Sequence, residues 1–173
     1  MNLSQSRIPV KIKNEKFKDR RGYFQEIYLK KKINLKIKFT AIAHSKKNVI
    51  RGLHFQLKNK QSKLIYVSNG KILDVAVNLK KNSKNFGKIF KFILKEGDIL
   101  FIPSFYAHGY ECLSKRSTVL YHLEKYRDAK NESGIPFNDK ILNLKWVTKN
   151  PIISKRDKSH ISFEDFARKY KGL

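Results

Sequence analysis

Asn48-Val-Ile-Arg-Gly-Leu-His-Phe-Gln56 reads as a strand, yet it sets an arginine and a histidine among large apolar residues. Strand side chains alternate between faces. Arg51 and His54 are three apart, so a regular strand would point them opposite ways. Gly52 lies between them, and a strand glycine often marks a bulge that re-aims its neighbours. With a bulge there, Arg51 and His54 share one pocket. Without it, His54 is a satisfied core histidine beside a surface arginine. The flanking sequence has to choose.

Working outward, the same short-strand pattern recurs. Lys36 to Ala43 alternates, and a polar loop follows at Lys58-Asn-Lys-Gln-Ser62. Lys63-Leu-Ile-Tyr-Val-Ser68 and Lys71-Ile-Leu-Asp-Val-Ala-Val-Asn78 then flank Asn69-Gly70, the preferred pair for a two-residue type I′ hairpin. That turn would oppose Val67 to Ile72, Ile65 to Asp74 and Lys63 to Ala76. Lys63 and Asp74 then share a face with Ile65, Val67, Ile72 and Ala76. The face is either an outer one with a surface ion pair or a polar pocket inside a barrel. Tyr23 to Tyr28, Phe86 to Leu94, Ile99 to Pro103 and Ser117 to Lys125 read as further strands, with turns at Lys18–Gly22 and Glu96-Gly-Asp98. Ser162-Phe-Glu-Asp165 fits a capping-box start to a short terminal helix through Lys169. Many short strands with turns between them indicate an all-β barrel or sandwich. There is no repeat, low-complexity run or linker, so one domain over residues 1–173 is expected.

Hydrophobic residues make up 40% of the 173, enough for a real core. No apolar run approaches the roughly 18 residues of a membrane span, and the N-terminus has no apolar signal core. Cys112 is the single cysteine, which fits a reducing cytoplasm and a buried, inert thiol. The net charge of +25 invites a nucleic-acid partner. The lysines are spread along the whole chain, however, with no zinc-finger spacing, stacking motif or basic heptad. A basic surface of this kind favours phosphate-bearing small molecules instead.

Gly97-x5-Pro103-x4-His108 resembles the second motif of cupin barrels, with Phe105 in place of a usual glycine. The first cupin motif carries two histidines and a glutamate as metal ligands, the glutamate seven residues before a turn glycine. Here that place, before Gly70, holds Lys63, and an ammonium cannot ligate a metal. The chain therefore looks like a cupin without its metal. A longer ordered series is more specific. Asp19-Arg-Arg-Gly-Tyr-Phe-Gln-Glu26, Arg51-Gly-Leu-His-Phe-Gln56, Lys63-Leu, Asp74-Val-Ala-Val, Pro103-x4-His-Gly-Tyr110, Leu120-Tyr121, Trp146 and Ser154-Lys-Arg-Asp157 occur in one order. That series resembles the dTDP-4-dehydrorhamnose 3,5-epimerase family over nearly the whole chain.

The resemblance implies a jelly-roll cupin barrel with a short C-terminal helical tail, no cofactor, a nucleotide-sugar substrate, and a homodimer in which an N-terminal strand crosses to the partner. It also implies roles. His54 matches the general base, Asp157 the aspartate that orients it, Tyr121 the acid on the other face of the sugar, and Lys63 the cation near the enolate. Arg51, Asp74 and His108 fall among residues lining the substrate site. Arg21, Glu26, Glu132 and Arg156 fall at nucleotide-sugar positions, and Tyr126 where an aromatic packs near the base. The chemistry fits. A 4-keto group acidifies C3–H and C5–H, and inversion needs a base on one face, an acid on the other and positive charge at the carbonyl oxygen. Histidine, tyrosine and lysine suit those tasks, and none of the steps needs an electron carrier or a metal.

The pattern is broken at several places: the loop from His44 to Arg51 is about two residues short, Asn78 replaces a usual aspartate, and two substrate-contact positions differ. Ala41 and Ala43 stand where the family has a glutamine and an asparagine that touch substrate. Three alternatives therefore stay open: a cupin acting at one centre, a ketoisomerase, or a non-catalytic sugar-nucleotide-binding barrel. His44, His122 and His160 are expected to be structural, and Trp146 to be packing.

Overall fold

The computed structural model describes residues 5 to 173. Two five-stranded antiparallel sheets face each other. The first joins β1 (Val10–Ile12), β9 (Ile99–Ile102), β6 (Lys63–Asn69), β11 (Arg116–Leu123) and β4 (Phe39–Lys46) in that order. The second joins β12 (Glu132–Gly134), β5 (Ile50–Gln56), β10 (Tyr106–Cys112), β7 (Lys71–Asn78) and β8 (Ile89–Lys95). A separate hairpin pairs β2 (Phe17–Asp19) with β3 (Gly22–Phe24). Helices are short: α1 (Lys30–Ile33), α2 (Lys155–Lys158) and α3 (Phe163–Tyr170). The expected all-β jelly roll with a helical tail is the fold observed. None of the described helices is long and apolar enough to cross a membrane.

Three apolar layers hold the strands. Ile65, Val67, Leu100 and Val119 of the first sheet meet Ile72, Ala76, Leu94 and Tyr110 of the second between the sheets. Leu64, Tyr66, Ile99 and Phe101 on the first sheet's outer face are covered by Ile33 and Leu35. Leu53, Phe55, Val75 and Val77 on the second sheet's outer face are covered by Leu142, Leu144 and by Phe163 and Phe166 of α3. Helix α3 starts where expected: the Ser162 hydroxyl accepts from the Asp165 N–H at 3.0 Å, satisfying one of the free donors of the first turn. Phe166 is fully buried, and its burial contributes on the order of 1.5–3 kcal/mol.

The Asn69-Gly70 hairpin is not formed. β6 and β7 lie in different sheets, so none of the three expected cross-strand pairs exists. A type I′ turn needs positive φ at both central residues, and only Gly70 has it, at 84°. Here the chain crosses between sheets. β9 and β11 occupy both edges of β6, and β10 and β8 both edges of β7. The inward parity nevertheless holds. Lys63 and Asp74 project between the sheets with Ile65 and Ile72, so the polar set lies inside the barrel, not on an outer face.

The bulge at Gly52 is present. Between β5 and β10 the register runs His54↔His108 and Arg51↔Tyr110, three residues against two. Gly52 has φ of 116°, and a Cβ there would stand 2.6 Å from Gly109 Cα and 2.7 Å from the His108 carbonyl oxygen. Both neighbours are backbone and cannot step aside. Gly52→Ala is therefore expected to cost at least about 1–3 kcal/mol. The check is the denaturant midpoint at unchanged slope; an unaltered midpoint would show that the bulge tolerates a side chain.

Candidate active site

Strand parity decides which side chains look inward. Leu53 and Phe55 of β5 pack outward, which leaves His54 and Gln56 for the interior. On β11, Val119 belongs to the layer between the sheets, so Tyr121 and Leu123 share its face. Tyr121 is paired with Ala41 of β4, which brings Ala41 and Phe39 to the same side. The result is an open cavity of about 270 Å³. His54, Lys63 and Tyr121 line it together with Phe39, Ala41 and Glu132.

His54 Nε2 lies 2.8 Å from Asp157 Oδ1, joining β5 to α2 across 103 residues of chain. Two features hold Asp157. Ser154 caps α2 by accepting the Asp157 N–H at 3.0 Å, and the Gly52 N–H donates to Oδ2 at 3.1 Å. The bulge that re-aims His54 thus also supplies a donor to its partner. Burial opposes ionisation of Asp157. The imidazoles of His160 and His54 and the Gly52 amide outweigh it and hold the carboxyl well below the usual carboxylate range. An ionised carboxylate only accepts, so His54 Nε2 carries the proton and Nδ1 is left as the basic nitrogen.

Tyr121 and Lys63 are surrounded by protein but still border the cavity. Burial pushes the Tyr121 phenol well above its usual range, and Tyr110 and Asp74 add to that effect. The group therefore stays protonated near neutral pH. Burial lowers the Lys63 ammonium to about 8, with Glu132 and Asp74 pulling it partly back. His108 is buried against Asp74, Nε2 to Oδ2 2.8 Å, and burial holds it below its usual range. Its ring meets that of Tyr121 edge-on, centroids 6.0 Å apart.

The remaining expected residues divide into two groups. Glu132 accepts from Arg127 Nε at 2.5 Å and pairs with Arg156 at 3.2 Å, which places two cations beside the cavity. Tyr126 is exposed and stacks on Phe39 of the cavity wall, 13° between planes. Arg51 shares a second, outer pocket with His54, Arg156 and Asp157, and its guanidinium is tied to Ser45 Oγ and the His44 carbonyl. Arg21 and Glu26, by contrast, are not brought to this cavity. Arg21 is exposed and paired with Asp19 in the β2–β3 hairpin, and Glu26 borders a separate small cleft near α1.

Sequence reasoning passed over four residues that border the site. Arg127, Gln56 and Gln61 line the cavity, and Gln56 Oε1 and Gln61 Nε2 are buried without a partner. His160 was expected to be structural. Its ring packs edge-on against His54, centroids 5.4 Å apart, with Nε2 3.5 Å from Asp157 Oδ1. At that distance the contact is a close charge–dipole approach and not a well-formed hydrogen bond. The Asp157–His160 spacing of three, which puts two side chains on one side of a helical turn, was the available signal. Trp146 and Cys112 are as expected: the indole donates to the Phe137 carbonyl and packs on the core, and the thiol is buried and free.

A family model described as dTDP-4-dehydrorhamnose 3,5-epimerase matches residues 8–165. The chain belongs to that family. The dTDP-4-dehydrorhamnose 3,5-epimerase of Shigella flexneri is 36% identical to it over 176 residues, covering 95% of this chain and 97% of the relative. The epimerase of Bacillus anthracis, solved with TDP and PPi bound, superposes with a TM-score of 0.85 at 34% identity, covering 89% of this chain and 93% of that one. A Legionella pneumophila 3,5-epimerase solved with dTDP-4-keto-L-rhamnose gives 0.85 at 28% identity, over 92% and 89%. These epimerases have the same fold over nearly their whole length.

Proposed function

We propose that this member of the epimerase family inverts C3 and C5 of a dTDP-linked 4-keto-6-deoxyhexose by removing and returning protons. The observation that carries the proposal is the His54–Asp157 pair on one side of the cavity, with Tyr121 and Lys63 lining the same space. In this reading His54 Nδ1 takes the proton from the carbon next to the ketone. Asp157 holds the ring and stabilises the imidazolium. The Lys63 ammonium, itself desolvated by burial, faces the enolate oxygen, where charge develops. Tyr121 gives a proton to the opposite face and takes one back from solvent, and His54 returns its proton to solvent. Arg127 and Arg156, bridged by Glu132, are the nearest cations for the diphosphate, and Tyr126 offers a face to the base.

Incubation with the 4-keto sugar nucleotide in heavy water tests this. Deuterium at both C3 and C5 with inversion is the expected result. Deuterium at one carbon would favour a single-centre epimerase, the reading that Ala41 on the cavity wall supports because it offers no hydrogen bond there. Binding of nucleotide with no exchange at any carbon would leave a non-catalytic barrel.

The proposal includes a pH dependence. Lys63 is charged below about 8 and neutral above it. Its stabilisation of the enolate is then present at neutral pH and lost as pH rises through that value. kcat/KM, which reports the free enzyme, should fall along an alkaline limb there. Bound diphosphate is negative and favours the ammonium, so the limb in kcat should lie higher. Lys63→Gln should lower the rate and remove this limb; a limb that persists belongs to another group.

The same reading makes the enzyme a cytoplasmic, single-domain homodimer. Phe17 and Phe24 of the β2–β3 hairpin are 55% and 67% exposed, and Ile42 on the free edge strand β4 is 70% exposed. Such apolar surface suits a partner. The hairpin also carries Arg21, which would reach a cavity only if that cavity belonged to the second copy. Light scattering at micromolar concentration should give the dimer mass; a monomer there would refute this part.

A further inference from the structure

His160 has no task in the proposed reaction, yet it completes a cluster. His54, His160 and Asp157 each offer one ligand atom, a ring nitrogen or a carboxylate oxygen, and these atoms lie within 4.8 Å of one another. Two imidazoles and one carboxylate make a ligand set suited to a borderline transition-metal ion. Zinc bonds of 2.0–2.1 Å in a tetrahedron set ligand atoms roughly 3.3 Å apart. The pair distances to Asp157 Oδ1, 2.8 Å from His54 and 3.5 Å from His160, bracket that value.

A second, independent observation points the same way. The His160 side chain is only 7% exposed, and its Nε2 is buried with no hydrogen-bond partner. An orphaned ring nitrogen loses its hydration with nothing in return, so a buried imidazole normally spends both nitrogens on partners. The ring is also held in place. It lies against Gly134, where a Cβ would stand 2.4 Å from two of its atoms. Asp157 has Oδ2 tied to the Gly52 amide, which leaves Oδ1 to face both rings. The outer pocket bordered by His54, Arg156 and Asp157 gives access from solvent.

We propose that His54, Asp157 and His160 form an inhibitory site for a divalent transition-metal ion of the zinc class. The inhibition, though not the site, rests on the function proposed above. Metal on His54 Nε2 moves the ring proton to Nδ1, because a neutral imidazole carries one proton. The lone pair that would take the substrate proton is then gone, with no net change in protonation. Oδ1 of Asp157 is occupied at the same time. The net charge of +25 and the nearby Arg51 and Arg156 oppose any dication. Mg²⁺ and Ca²⁺, which want oxygen ligands, gain too little from this set to bind against that charge.

The test uses the full chain stripped of metal, with Co²⁺ as the spectroscopic probe and Zn²⁺ as the competitor. The expected result is a visible tetrahedral-type Co²⁺ spectrum saturating at a single equivalent and erased by Zn²⁺. His160→Ala and His160→Gln should abolish it, with melting curves showing that each variant is folded. X-ray absorption of the Zn²⁺-loaded wild type should show two imidazoles, a readout that needs no variant. Zn²⁺ should also stop deuterium exchange into substrate, reversibly on adding a chelator. Each His160 variant, compared with its own metal-free rate, should be less sensitive by more than about 10-fold, the least that losing one supporting residue costs a metal site. Metal binding that is absent, or unchanged in both variants, overturns the site. A His160-dependent Co²⁺ spectrum without inhibition of an active enzyme overturns the inhibitory role. If that spectrum forms and the metal-free wild type shows no exchange at all, the proposed epimerase function fails and the metal site stands.

Discussion

His54→Ala is expected to lower deuterium uptake at C3 and C5 by about 10²–10⁴-fold, the range for losing a positioned general base. The whole loss should appear in exchange as well as in inversion, because without Nδ1 no proton leaves the sugar. Substrate affinity should change little, since Arg127 and Arg156, the cations proposed for the diphosphate, are held by Glu132 and not by the imidazole. Asp157→Asn should cost less than His54→Ala. The amide can still lie against the ring, but it offers no charge to stabilise the imidazolium, and it can turn its NH₂ toward Nε2 and force the wrong tautomer. It should also weaken the fold. The Asp157 carboxyl is held below the usual carboxylate range, so it contributes stability above its unfolded pKa that is lost as pH falls through the folded value. Unfolding midpoints compared at neutral and acidic pH should therefore converge for wild type and Asp157→Asn. Exchange that survives in His54→Ala at the wild-type rate would mean another group takes the proton.

The inward parity of the barrel was readable because each strand carries its own period of two. His54, Lys63, Asp74, His108 and Tyr121 alternate with core residues of their strands. The Ser162 cap was readable because capping is local. The assignment of β6 and β7 to sheets was not. Both faces of each strand are buried, so alternation places no strand beside another, and Asn69-Gly70 serves a crossing between sheets as well as a hairpin. The His54–Asp157 contact could be inferred only from family resemblance, since 103 residues separate its partners. Arg127 sits in a polar, aperiodic stretch that gives no pattern to read. Arg21 is exposed in the β2–β3 hairpin and Glu26 borders a separate cleft, and nothing in their local sequence reports the distance from either to the cavity.

Tyr121→Phe separates two events that His54→Ala removes together. A phenol keeps its proton at neutral pH, and burial pushes this one further above its usual range, which suits the proposed acid and leaves no competing base there. Phenylalanine keeps the ring and its edge-on contact with His108, but has no proton to give. His54 can still remove the C–H proton, and Lys63 still faces the enolate. The enolate then has one protein donor left, the His54 imidazolium, on the face the proton came from. Return there restores the starting configuration. Deuterium from solvent that has exchanged with the imidazolium should enter without inversion, and the ratio of exchange to inversion should rise steeply, with inversion lower by about 10²-fold or more. Nuclear magnetic resonance of the sugar recovered from heavy water reads both quantities in one sample. Should Tyr121→Phe invert the sugar at the wild-type rate, the proton on the second face comes from solvent or another residue, and the two-face mechanism is wrong even though the fold and the His54–Asp157 pair stand.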